Sequence, residues 1–118
     1  MLKMIALMRR RPDLSHSQFV DYYESQHAPL AHSLFEFERY ERNFIVPATL
    51  TGGAGERVPP FPYDVVTELY FRDRDHLEAM GREIANTDKG VLLTRDEERF
   101  LDRTSITAFL VDCRQTAT

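Results

Sequence analysis

One polar ring stands inside an apolar stripe. Between Ser15 and Phe35, Val20, Tyr23, Leu30 and Leu34 recur at the three-to-four spacing that lays one face of a helix against a core, and His27 completes the row. Two residues on, Pro29 interrupts the helix, because proline has no N–H and its ring collides with the carbonyl of Ser25. Imidazole titrates nearer neutrality than any other unperturbed side chain, so an inward histidine is suited to moving protons. Two readings of His27 stand side by side. In one it is a core histidine whose ring nitrogens meet nearby carbonyls, with that of Ser25 freed for the purpose. In the other it faces a cleft, where a helix C-terminal dipole favours the imidazolium and burial favours the neutral ring.

Tyr40 is the second candidate. It is either a strand aromatic packing beneath the first helix or a hydroxyl aimed at a substrate carbonyl or enolate. Asn43 alternates away from Tyr40 in a regular strand, where it either anchors backbone or faces a dimer interface. Glu68 is a charge in an otherwise apolar strand and needs a partner, for which Arg42 and Arg72 are the nearest candidates. His16 reads as a solvated first-turn residue, and His32 and His76 as surface residues. No two of the four histidines stand at the i, i+4 spacing of a helical metal site, so no metal is expected. "TGGAGE" opens no helix and is not a phosphate cradle. The single Cys113 has no histidine nearby in sequence to activate it, and no disulfide can form within the chain.

The elements that must position these groups follow from patterning. Leu2 to Met8 is a strand apolar on both faces apart from Lys3. Ser15 and Gln18 form a capping box, and Leu14 and Phe19 a hydrophobic staple, at the start of a helix that is bent or restarted at Pro29 and ends near Phe35. "ERYERNFIV" alternates as a second strand, with Tyr40, Arg42, Phe44 and Val46 on one face. The Gly- and Pro-rich linker that follows is too long for a simple hairpin, and Thr49 to Tyr63 is expected to be mobile or lid-like. Val65 to Arg72 is the third strand. Asp73 caps a second helix with an inner stripe of Leu77, Met80, Gly81 and Ile84, and "NTDKGV" breaks it. Thr94 and Glu97 suggest a second capping box for a short helix over Arg95 to Leu101, and "TSITAFLVDC" is the last strand.

Strand, helix, strand, strand, helix, strand is the ferredoxin-like α+β plan, an antiparallel four-stranded sheet with its helices on one face. The 118 residues make one domain, 1–118, large enough for a core without staples. Helices cover one sheet face only, yet the strands carry apolar residues on both. A second copy of the sheet is the simplest cover, which implies a homodimer. A net charge of −4 disfavours nucleic acid, and the third strand lacks the aromatic pattern of an RNA-recognition module. No run approaches the roughly 18 apolar residues of a membrane span, and the apolar-then-basic N-terminus is not a signal peptide, so the chain is expected in the cytoplasm.

The run Phe19-x-x-Tyr22-Tyr23-x-x-x-His27-x-Pro29, followed by Arg39-Tyr40-x-x-Asn43, by "VVTELYF" and by "DEERFLDR", resembles the EthD family of dimeric α/β-barrel proteins over nearly the whole chain. The likeness departs in the loop between the second and third strands. Proteins of this wider group include cofactor-independent anthrone monooxygenases, polyketide cyclases, lactone isomerases, dehydratases and decarboxylases. EthD itself names an accessory component of a cytochrome P450 ether-cleavage system. The resemblance implies a dimer and a helix–sheet pocket in which His27 and Tyr40 are catalytic, with Tyr23, Asn43, Leu69 and Phe71 contacting substrate. The leading expectation is a cofactor-free lyase or isomerase moving protons on a small aromatic, polyketide-like or lactone-like ligand. Its alternatives are an internal anthrone-type oxygenation and a non-catalytic binding or accessory protein of a monooxygenase system.

Overall fold

The pleat of Leu2–Arg10 (β1) places Met4, Ala6 and Met8 on one sheet face and Lys3, Ile5 and Leu7 on the other. The computed structural model describes residues 1–46 and 61–117. After β1 come α1 (His16–Tyr22), a π-helical turn (Tyr23–His27), α2 (Ala28–Leu34), β2 (Arg39–Phe44), β3 (Val65–Phe71), α3 (Arg74–Asn86), α4 (Asp88–Glu97) and β4 (Leu101–Val111). The strands lie in the order β2-β3-β1-β4 and every pair is antiparallel, the α+β ferredoxin-like arrangement. Most of the linker expected to act as a lid falls in residues 47–60, outside the described residues. None of the described helices is long and apolar enough to cross a membrane.

The first helical segment starts as its sequence dictates. Ser15 accepts a hydrogen bond from Gln18 N–H, and the Gln18 side chain accepts one from Ser15 N–H. Its second half departs from the simple pattern. Ala28 N–H donates to the carbonyl of Tyr23, five residues back. The helix thus widens into a π turn just ahead of Pro29, where an α-helix would lose a hydrogen bond. One added residue turns everything downstream by about 100°. The buried row is therefore Phe19, Tyr23, His27, Ala31 and Phe35, a step of four throughout, and the expected Leu30 and Leu34 are only half-buried.

The second helical region also differs from expectation. Thr87, not Thr94, is the cap, its side chain accepting from Lys89 N–H, and the helix covers Asp88–Glu97 rather than Arg95 to Leu101. The supposed breaker Gly90 is a close-packing residue. A Cβ there would stand 1.8 Å from the carbonyl oxygen of Ile84, so α4 can fold back against α3 only with glycine at this place. No residue of α3 is fully buried, and Ile84 of its expected inner stripe is 36% exposed. Met80 and Ile84 border a cavity instead of packing onto the sheet. β4 starts at Leu101, three residues early, and its register against β1 shifts between Leu7 and Arg9. That irregularity bends the strand and carries Arg103 toward the end of α4, where its Nε lies 3.4 Å from Glu97 Oε1.

Phe100, fully buried, is the hub of the core. Its ring lies 5.6 Å from that of Phe19, 5.4 Å from Tyr23 and 4.8 Å from His27. Val65, Met8, Ala6 and Leu101 complete the cluster between sheet and helices. Burying an aromatic of this size is worth about 2–3 kcal/mol, and the same contacts fix where the His27 ring can stand.

Candidate active site

A cavity of about 250 Å³ lies between the helices and the sheet. Met4, Ala6 and Met8 of β1 and Thr67 and Leu69 of β3 form its floor. Tyr23, His27 and Ala31 form one wall, and Leu93 and Glu97 of α4 the other. The residues entering it are the inward members of each element. Strand alternation supplies every second residue, and the step of four through the π turn aligns Tyr23, His27 and Ala31.

His27 is 5% exposed and is not satisfied by the carbonyl of Ser25. Its Nδ1 lies 2.8 Å from Oδ2 of Asp96, on α4. Asp96 is itself buried and accepts a hydrogen bond of 2.6 Å from the Tyr22 hydroxyl at its other oxygen. With Nδ1 taken, the ring presents Nε2 as the nitrogen for which no hydrogen bond is found among the described residues. Burial holds the imidazole below its ordinary 6.5, and the Asp96 carboxylate pulls the other way. Glu97, next in sequence, has its carboxyl pushed up by burial, with Arg103 opposing the shift and Asp96 reinforcing it.

A second group of polar atoms crosses the cavity. Tyr40 O–H donates to the Tyr23 oxygen at 3.0 Å, and the Tyr23 hydroxyl shares a hydrogen bond of 3.0 Å with Thr67 Oγ1. Burial raises both phenols above the ordinary tyrosine value, so they stay protonated donors. Outside the cavity Arg42 lies over the Tyr40 ring at 4.8 Å and pairs with Glu24 at 2.8 Å, fixing the face that Tyr40 turns inward.

The structure brings His27, Tyr40, Tyr23 and Leu69 to one cavity. Phe71 is fully buried but lies among Phe37 and His76 and is not in the cavity wall. Asn43 faces the opposite side of the sheet, where its amide donates to the Val66 carbonyl and to Glu68. Glu68 pairs with Lys3 at 2.5 Å, not with an arginine. Lys3 and Glu68 are diagonal neighbours on the outer face, whereas Arg42 sits opposite Thr67 on the helix-covered face. Two histidines read as surface residues have polar partners. His16 Nδ1 is 3.0 Å from Asp64 Oδ1, and His76 accepts from Arg72 N–H while its other nitrogen meets the Glu36 carbonyl. Cys113 is exposed. Among the described residues no group of three or more His, Cys, Asp or Glu side chains is arranged to hold a metal ion.

Asp96 and Glu97 were not singled out for chemistry by the sequence, nor was Thr67. The available signal was the acidic pair just ahead of Phe100. Helical spacing could not connect it to a histidine 69 positions away.

An EthD domain is matched over residues 11–104. No curated protein matches the chain. Among solved structures it is similar to an ethyl tert-butyl ether D (EthD) family protein of Bacillus halodurans C-125, at 19% identity and TM-score 0.64, covering 97% of this chain and 100% of that one. It is also similar to a NIPSNAP domain protein of Burkholderia xenovorans, at 13% identity and TM-score 0.60 over 100% and 99% of the two chains. A third is a dimeric protein of ferredoxin-like fold from Bacteroides fragilis, at 12% identity and TM-score 0.52 over 93% and 91%.

Proposed function

The chain belongs to the EthD family, and from that premise we propose that it is a cofactor-independent enzyme moving protons on a small aromatic, polyketide-like or lactone-like substrate. The reaction class is dehydration, cyclisation, isomerisation or decarboxylation. The observation that carries this reading is the His27–Asp96 pair, 2.8 Å apart and buried, on the wall of a cavity. Asp96 accepts a hydrogen bond from Nδ1–H, which fixes the tautomer, orients the ring and stabilises the imidazolium that forms when Nε2 takes a proton. Burial keeps the resting ring neutral at neutral pH, the form a base requires.

The hydroxyl chain supplies the electrophile. In the structure the Tyr40 proton is given to Tyr23, and either atom of the Tyr23–Thr67 pair can be the donor. Rotation of the three O–H bonds reverses the chain. Thr67 then donates to Tyr23, Tyr23 to Tyr40, and Tyr40 to a substrate oxygen bearing developing charge. The cavity is just below the roughly 300–1,000 Å³ typical of ligand sites, which favours a substrate of one or two rings.

The test is solvent-deuterium exchange by NMR across a panel of single-ring phenols, enones and lactones, with His27→Gln alongside. The wild type is expected to catalyse exchange or conversion, and the variant to lose on the order of a hundredfold or more. Equal rates in the two proteins would mean that His27 is a core residue.

The functional unit in this reading is a homodimer joined through the outer sheet face. Ile5, Leu7, Val66, Tyr70, Phe109 and Val111 share that face, and Phe109 is 41% exposed. A stable pair should bury more than roughly 1,200 Å². Light scattering at micromolar concentration should give twice the chain mass, and a clean monomer would overturn the dimer.

A further inference from the structure

Two titratable groups of different kind line the same cavity from different elements. His27 comes from the π turn and Glu97 from the last position of α4. We propose that Glu97 is the acid partner of His27, a second catalytic residue that gives a proton to a substrate oxygen while Nε2 takes one from carbon. The proposal rests on the proton-transfer reading above.

The geometry comes first. The Glu97 side chain is 16% exposed and lines the cavity with Leu93, Met80 and Ile84, an apolar setting that penalises a carboxylate. The charged groups facing it are Arg103 of β4, with Nε at 3.4 Å, and Asp96 on its own helix. The cavity adds His27, Tyr23 and Tyr40. Asp96 is committed to His27 and Tyr22 and does not turn its oxygens to the cavity's other groups. Arg103 pairs with Glu97 from a side chain that is 46% exposed, where solvent weakens the attraction. Burial pushes the Glu97 carboxyl up, and Asp96 adds to that shift while Arg103 opposes it. One cavity therefore holds an imidazole that burial pulls down and a carboxyl that burial pushes up, a divergence suited to running both halves of a proton transfer.

The step balances for a β-hydroxy carbonyl. The C–H proton passes to His27 Nε2, its electron pair becomes the new C=C bond, and the C–O bond pair leaves with oxygen. That oxygen takes the Glu97 proton and departs as water. The imidazolium then returns a proton to the Glu97 carboxylate through solvent.

The experiment uses two probes of a base in a cavity, benzisoxazole and its nitro derivative. In each, removal of the ring C–H breaks the N–O bond and releases a cyanophenol. The nitrophenolate is a good leaving group and needs little proton donation, whereas the unsubstituted phenolate needs it. His27→Gln should slow both reactions. Glu97→Gln should slow benzisoxazole by about a hundredfold and the nitro derivative by less than about threefold. If Glu97→Gln slows both equally, or neither, while His27→Gln still slows both, Glu97 is a wall residue and the His27 reading survives. If His27→Gln leaves both rates unchanged, or the wild type is no faster than imidazole in buffer, the proton-transfer reading falls and takes the acid partner with it.

Discussion

Among the described residues, two histidine–carboxylate pairs have nearly the same length. His27 Nδ1 and Asp96 are 2.8 Å apart, and His16 Nδ1 and Asp64 are 3.0 Å apart. What surrounds them is not alike. His16 is part-exposed on the first turn of α1, and Asp64 is shared with the backbone N–H of Arg10 and with its guanidinium. That arrangement ties the end of β1 to the start of β3. His27 is buried against Phe100 and Tyr23, and its carboxylate is held by a tyrosine rather than a cation. Pairing alone therefore identifies no site. A pair becomes a candidate for chemistry where burial tunes the ring and a cavity gives its second nitrogen something to act on.

The contrast is sharpest in activity. His27→Gln is expected to cost on the order of a hundredfold or more in rate while keeping the circular dichroism of the fold, and His16→Gln should leave the rate within about twofold. Comparable losses in both variants would mean that the two pairs do not differ in function.

Asp96→Asn should come next. An amide can accept from His27 or donate to it but carries no charge to stabilise an imidazolium, so a rate loss of at least tenfold is expected. Because two hydrogen bonds, one of them buried, depend on this oxygen pair, stability should fall by about 1–3 kcal/mol in a denaturant titration. Asp64→Asn, at a more open site, should cost no more than about 1 kcal/mol.

Gly90→Ala tests the backbone that brings Asp96 to His27. The added methyl would collide with the Ile84 carbonyl, so α4 must move away from α3. A loss of about 1–3 kcal/mol is expected, together with a reduced rate because Asp96 and Glu97 travel with the helix. Full activity in a destabilised variant would place the cavity's geometry elsewhere.

The smallest effect is on pH dependence. The folded His27 is held below its ordinary 6.5, so between the folded value and 6.5 the unfolded chain binds more protons. Its contribution to stability is therefore complete above pH 6.5 and is lost as pH falls through the folded value. Melting temperature followed downward from pH 7 should decline less steeply in His27→Gln than in the wild type. Identical slopes would remove the buried neutral imidazole from the account.

The outcome at particular residues separates what local sequence carries from what it does not. Ser15 and Gln18 declared a helix start because a capping box is satisfied within four residues. The apolar runs of β1 and β3 and the alternation in β2 likewise declared strands, and their order with the helices gave the ferredoxin-like plan. His27 was legible as an inward polar ring from its helical spacing. Its row was misjudged beyond Pro29 because the chain absorbed the proline by widening one turn, and that choice depends on what Ala31 and Phe35 pack against. Gly90 read as a breaker until α3 was seen against it. Glu97 read as half of a capping box, and Asp96 received no role in the site, because their partners, Arg103 and His27, lie on other elements. By itself the sequence determined the elements, the fold class and an inward histidine, all set by contacts a few residues long. Only the tertiary structure decided which carboxylate meets that histidine, which acid shares its cavity and which residues miss it. Those relations join positions distant along the chain, and no local periodicity encodes them.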